Sequence, residues 1–155
     1  MTDIPTLGTL LRHLVDLLDG AVEQTYIAAG LTYRPRYTPV VRALIAHGPA
    51  SIRTISLHAR TTHSAASQTV AQMAKDGLVH SRPGEDARER IIALTPRARR
   101  MLPALRRQWA TIDEAARRLE GELSVPLSAV LAEAIEALGR VGFAERIGRA
   151  ARSIR

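Results

Sequence analysis

Residues 62–72 read Thr-His-Ser-Ala-Ala-Ser-Gln-Thr-Val-Ala-Gln, a run of hydroxyl, methyl and amide side chains with no carboxylate. Ala66, Val70 and Met73 recur at spacings of four and three, so on a helix they share one apolar side. Ser64, Ala65, Gln68 and Gln72 then face the other way, flanked by Thr62, His63 and Ser67. A solvated helix face usually carries Glu, Lys and Arg. Here the only charge before the last turn is that of a protonated His63. Short neutral side chains allow close approach to a flat polar partner. A Gln amide pairs with the N6/N7 edge of adenine, and an Ala or Thr methyl meets the thymine methyl. Ser and Gln are also tolerated on any wet surface, so this face alone leaves both readings open.

The chemistry turns cationic a few residues later. Arg82, Arg88 and Arg90 surround Pro83-Gly84-Glu85-Asp86, a turn by composition. A guanidinium donates two parallel bonds to phosphate. At a hairpin tip it can enter a narrow minor groove, where negative potential concentrates. Arg88 can also pair with Asp86 or Glu85 and shape the turn, and the two roles are compatible.

The elements that must position these groups follow from periodicity. Leu7, Leu10, Leu11, Leu14, Leu17, Leu18, Ala21, Val22 and Tyr26 predict one long amphipathic helix over 6–29, closed by Gly30 in a left-handed cap. Thr38 as N-cap and Pro39 at the first helical position open a helix over 39–46, with Val40, Val41, Leu44 and Ile45 inside. Ser51 caps a short helix over 52–58 with Ile52, Ile55 and Leu57, and Ser51 also joins the candidate contact set. The helix carrying the neutral face spans 63–75 and stops at Gly77. Three short helices with such brief turns have helix-turn-helix organisation.

The period then changes. Leu78–Arg82 and Arg88–Leu94 predict two strands of a hairpin, which after a helix-turn-helix makes a wing. Thr95-Pro96 starts a long helix to about Glu120, with Leu102, Leu105, Trp109, Ile112, Ala116 and Leu119 as its stripe and a kink expected at Pro103. Ser124 is expected to cap a last helix with Leu127, Val130, Leu131, Ile135 and Leu138. Gly139 and Gly142 weaken it, and a basic tail follows.

Composition agrees with a polyanionic partner. The 155 residues hold 22 basic and 15 acidic side chains, a net +7, and the excess lies after residue 35. All basic residues but Lys75 are Arg, a bias that genome-wide base composition also produces. There is no Cys, which excludes disulfides, thiolate zinc sites and cysteine redox sensing. No apolar run approaches the ~20 residues that span a bilayer, and the N-terminus lacks a secretory pattern, so no membrane partner and a cytoplasmic location are expected. His58 and His63 could meet across a short turn, but no carboxylate joins them at ligand spacing; no metal and no cofactor are expected. No nucleophile triad, phosphate loop or paired-carboxylate signature proposes an enzyme.

The stretch from Ser51 to Ala98 resembles the MarR family of multiple antibiotic resistance regulators. The resemblance rests on HSAASQTVAQMAKDGLV followed by RPGEDARERIIALTPRA. Asp86, Arg88, Leu94 and Thr95 match the family's wing pattern, while Ala98 stands where the family often has Gly. The fold class implied is mainly α with a small β-hairpin wing: a winged helix-turn-helix core flanked by long N- and C-terminal dimerisation helices. Residues 1–35 would be a dimerisation helix, 36–95 the DNA-binding lobe, and 96–155 a linker helix and second dimerisation helix. A triangular homodimer is implied, with Leu7, Leu10, Leu11, Leu14, Leu127, Leu131, Ile135 and Leu138 in its interface. A crevice for a small aromatic or anionic effector is implied near Tyr26, Tyr33, Arg34 and Tyr37, which ordinary packing would equally explain. The function expected is a dimeric regulator of double-stranded DNA, a repressor released from a pseudo-palindromic operator by a small ligand. The alternative is an architectural or antitoxin-like DNA- or protein-binding module with no ligand control.

Overall fold

The computed structural model describes residues 4–86 and 88–154. It contains the helices α1 (Leu7–Ala28), α2 (Thr38–His47), α3 (Ile52–His58), α4 (His63–Lys75), α5 (Pro96–Gly121), α6 (Leu127–Arg140) and α7 (Phe143–Ser153). The strands are β1 (Ala50–Ser51), β2 (Val79–Pro83) and β3 (Arg90–Leu94), in the antiparallel order β1-β3-β2. The protein is mainly helical with a small sheet, as expected. The chain forms two compact units, Met1–Trp109 and Ala110–Arg155, and the boundary falls within α5.

In the first unit, α1 starts where the Thr6 hydroxyl accepts from the Thr9 amide, and Gly30 follows it at φ +69°. A positive φ is costly for any residue with a Cβ, which is why a glycine stands there. The 3-10 turn Pro35–Tyr37 runs straight into α2 and changes the expected start of that helix. Thr38 is not its cap. Thr38 is already helical, and its amide donates to the Pro35 carbonyl. Its hydroxyl is instead used by Tyr33, as described below. The buried side of α2 is Val40, Val41, Ala43 and Leu44, with Ile45 only half-buried.

Ser51 caps α3 by accepting from the Thr54 amide at 3.2 Å. Ile55 is fully buried, but Leu57 is 70% exposed, against expectation. Two residues turn a helix by about 200°, so these two cannot share one face. Ser56 takes the inward place, its hydroxyl satisfied by the Arg53 carbonyl at 2.8 Å.

The β1 strand was not foreseen. Its two residues pair with Ile92 and Ile91. The hairpin register sets Val79 opposite Leu94 and Pro83 opposite Arg90, so β3 begins at Arg90, two residues later than its sequence pattern suggested. Leu78, Val79, Ile92, Ala93 and Leu94 close the core from the sheet side, while Leu105 and Trp109 of α5 close it from another. The helix α5 continues through Pro103.

In the second unit, Ser124 does not cap α6. Pro126 occupies the N-cap position, and the Glu120 carboxylate accepts from the Ser128 amide at 2.6 Å. The expected basic tail is a separate helix, α7. Neither α6 nor α7 has a buried residue.

Candidate nucleic-acid interface

The helix α4 is where the sequence placed it, with Ala66, Val70 and Met73 buried. Its first turn is held by Thr62, whose hydroxyl accepts from the Ala65 amide at 3.1 Å. His63, Ser64 and Gln68 are exposed, and Ala65, Ser67 and Gln72 are half-buried. The outermost line therefore runs Ser64, Gln68, Ala71 and Lys75, at spacings of four, three and four. Ala71 and Lys75 were missed as site candidates. The helical wheel that found Gln68 contains both, and Lys75 supplies the cation at the end of an otherwise neutral face.

Gln72 is less free than its outward position suggests. Its Nε2 donates to Asp76 Oδ1 at 3.0 Å, and Asp76 Oδ2 accepts from the Tyr37 hydroxyl at 2.6 Å. These bonds, the Tyr37 hydroxyl first, hold the Asp76 carboxyl below its ordinary value. Ser51 is only 9% exposed, with its hydroxyl engaged as a helix cap.

The wing is closed by backbone bonds from the Gly84 amide to Glu89 O at 2.8 Å and from the Glu89 amide to Asp86 O at 2.9 Å. The Asp86 side chain accepts from the Arg88 amide at 3.0 Å, an Asx turn in which the pattern residue Asp86 shapes the loop through the backbone. Arg82, Arg88 and Arg90 are all exposed. Arg90 reaches across the hairpin, its Nε donating to Ser81 Oγ at 2.8 Å. Gly84 sits at a close approach: a Cβ there would meet the Glu89 carbonyl at 3.3 Å, a tight contact.

The junction residues behave differently. Tyr26, Tyr33 and Tyr37 are 1%, 4% and 0% exposed. Tyr33 packs edge-on against both Tyr26 and Tyr37, with centroids 4.9 and 5.7 Å apart. Trp109 Nε1 donates to the Tyr26 hydroxyl at 3.1 Å, and the Tyr33 hydroxyl donates to Thr38 Oγ1 at 3.3 Å. Burial holds the Tyr33 hydroxyl well above its ordinary pKa. These rings are core; Arg34 alone of the four is exposed. His58 stacks not on His63 but on His47, with centroids 3.6 Å apart. Among the described residues no group of three or more His, Asp or Glu could hold a metal ion. No helix among them is long and apolar enough to cross a membrane.

Residues 29–89 match the model of the MarR family. Over that stretch the chain is similar to the MarR family. Solved structures with the same fold include a transcriptional regulator of Mycobacterium tuberculosis, MOSR, in complex with DNA: 16% identical, TM-score 0.66, covering 97% of this chain and 99% of that one. BpsR of Bordetella bronchiseptica is 15% identical with a TM-score of 0.66, covering 90% and 96%. The PcaV transcriptional regulator of Streptomyces coelicolor is 21% identical with a TM-score of 0.60, covering 90% and 99%. No curated protein sequence matches the chain. Ala98, where the family often has Gly, is buried, and its amide donates to Thr95 Oγ1 at 3.1 Å.

Proposed function

We propose that this protein is a dimeric, sequence-specific DNA-binding transcriptional regulator, a repressor that leaves a pseudo-palindromic operator when a small molecule binds. The observation that carries the reading is the exposed line Ser64, Gln68 and Ala71 on α4, followed in the chain by a wing with three exposed Arg. Uncharged short side chains suit base edges, and the cations at the margins suit phosphate and the minor groove. Lys75 belongs with the margins. Similar folds serve DNA-bound regulators, MOSR among them.

The dimer is supported by uncovered apolar surface. Leu7 is 71% and Ile135 59% exposed; Leu10, Leu11, Leu131 and Leu138 are exposed too, and Leu14 and Leu127 half-buried. Removing such surface from water is worth ~25 cal/mol per Å². Residues 1–35 and 96–155 then supply dimerisation, and 36–95 the DNA-binding lobe. A two-fold dimer reads half-sites about 10 base pairs apart. Regulation of BpsR's DNA binding by 6-hydroxynicotinic acid supports a small aromatic or anionic molecule as the effector class proposed here. Arg34, exposed at the junction, is the cation that would meet it, and the buried tyrosines respond by packing. Such a regulator works in the cytoplasm, where its DNA is.

The test is a footprint on the DNA flanking the protein's own gene, repeated with aromatic acids added. A two-fold protected segment, lost on adding an acid, is the expected result. Equal protection of any duplex would replace the regulator by an architectural binder.

A further inference from the structure

We propose that Asp76 is a positioning residue for base readout: anchored by the Tyr37 hydroxyl, it fixes the amide of Gln72 in one orientation on the recognition helix. This rests on the DNA-reading function proposed above and names how one of its contacts is set.

Asp76 is the C-cap of α4. The carbonyls at a helix C-terminus carry partial negative charge, so a carboxylate there has the wrong sign. It must be held by other bonds, and they are present. The Tyr37 hydroxyl donates to Oδ2 at 2.6 Å, and Gln72 Nε2 donates to Oδ1 at 3.0 Å. The Arg97 guanidinium donates to the Asp76 carbonyl at 2.8 Å. Tyr37 itself is fully buried, in the 3-10 turn before α2. One carboxylate oxygen is thus fixed to the core of the lobe, and the other faces the reading helix.

An amide side chain carries two N–H donors and one carbonyl acceptor. Only the nitrogen can face a carboxylate, so the bond to Asp76 decides which way the Gln72 amide lies. One N–H is used. The second N–H and the carbonyl remain as an oriented donor and acceptor. An adenine edge demands that pair, an acceptor for its N6 hydrogen and a donor for N7. Without the carboxylate the amide can flip, and both orientations become available. Gln68 has no such carboxylate partner among the described residues, so it adapts where Gln72 is preset. A sequence reading could not separate the two, because the anchor lies 39 residues from Asp76.

The experiment uses the full chain and the duplex found by footprinting, with every single-base change of one half-site. Gln72→Ala, Asp76→Asn and Tyr37→Phe are compared. All three are expected to flatten preference at the same base pair, by about fivefold or more for Gln72→Ala and Asp76→Asn, with an unchanged salt slope. Asp76→Asn combined with Gln72→Ala should lose no more preference than Gln72→Ala alone. A second readout needs no DNA: the side-chain amide resonances of Gln72 should shift in both Asp76→Asn and Tyr37→Phe, while the Gly84 amide of the wing stays in place. If Asp76→Asn does not fold, Tyr37→Phe carries the test. Unchanged Gln72 amide signals, or a wild-type base profile in Tyr37→Phe and Asp76→Asn beside a flattened one in Gln72→Ala, overturn the inference and leave the DNA-reading function standing. A wild-type chain that selects no duplex overturns the function and the inference together.

Discussion

The hydroxyl of Thr95 donates to the carbonyl of Gly77 at 2.7 Å. The same oxygen accepts from the Ala98 amide at 3.1 Å, and the Thr95 amide donates to Leu78 O at 3.0 Å. Gly77 can take part because its φ of +70° turns the chain sharply out of α4. Thr95 is therefore both the cap of α5 and the clasp on the far end of the recognition helix. Together with the Arg97 guanidinium on the Asp76 carbonyl at 2.8 Å, it joins the start of α5 to the end of α4.

Removing that clasp should be measurable. Thr95→Val keeps the shape and loses both side-chain bonds, and it should cost about 1–3 kcal/mol. Thr95→Ser should recover most of it. Urea midpoints of the three proteins check this; equal stability of Thr95→Val and the parent would remove the clasp from the account.

The helix and the wing should fail differently on DNA. Gln68→Ala should lose ~1–3 kcal/mol of discrimination at one symmetric pair of positions, with the salt slope nearly unchanged. Arg88→Ala should weaken binding to most sequences and make the slope shallower. Binding to single-base operator variants at several salt concentrations separates the two. An Arg88→Ala protein that binds like the parent would make Arg88 a turn residue only.

Acid should act through Asp76. Its folded pKa lies below the ordinary 3.8, chiefly because the Tyr37 hydroxyl favours the charged form. A depressed folded pKa contributes stability that is complete above the unfolded value and drains away as pH falls through the folded one. The parent should therefore lose stability more steeply than Asp76→Asn between about pH 5 and pH 2. Urea midpoints across that range test it; parallel curves would contradict it.

Association should depend on the apolar faces of α1 and α6. Leu10→Glu and Ile135→Glu replace exposed apolar side chains of the single chain. Each puts an unpaired charge into the proposed interface, where desolvation costs several kcal/mol. Sedimentation at micromolar concentration should show the parent dimeric and both variants shifted toward monomer. A parent that sediments as a stable folded monomer would overturn the dimer.

Some of this protein could be read from the chain alone. His63–Lys75 and its buried Ala66, Val70 and Met73 follow from a strong local period. The wing follows from Pro83-Gly84 between strand-like runs, and Thr95-Pro96 announces α5. These signals concern neighbours within a few residues, where helix and turn geometry leave little choice. Other features were decided only by packing. The two-residue strand Ala50–Ser51 has no period of its own; it exists because Ile91 and Ile92 lie beside it. Thr38 looks like a cap, yet the 3-10 turn before it takes its amide, and Tyr33 takes its hydroxyl. Tyr26, Tyr33 and Tyr37 could have lined a crevice or filled a core; the Trp109 indole and the Asp76 carboxylate, distant in sequence, made them core. The Asp76 carboxylate that takes the distant Tyr37 hydroxyl also holds Gln72, four residues before it, while Gln68 stays exposed. Local pattern determines which face a side chain occupies, because backbone geometry repeats every few residues. Which partner it meets there depends on segments tens of residues away, and only the folded chain brings those together.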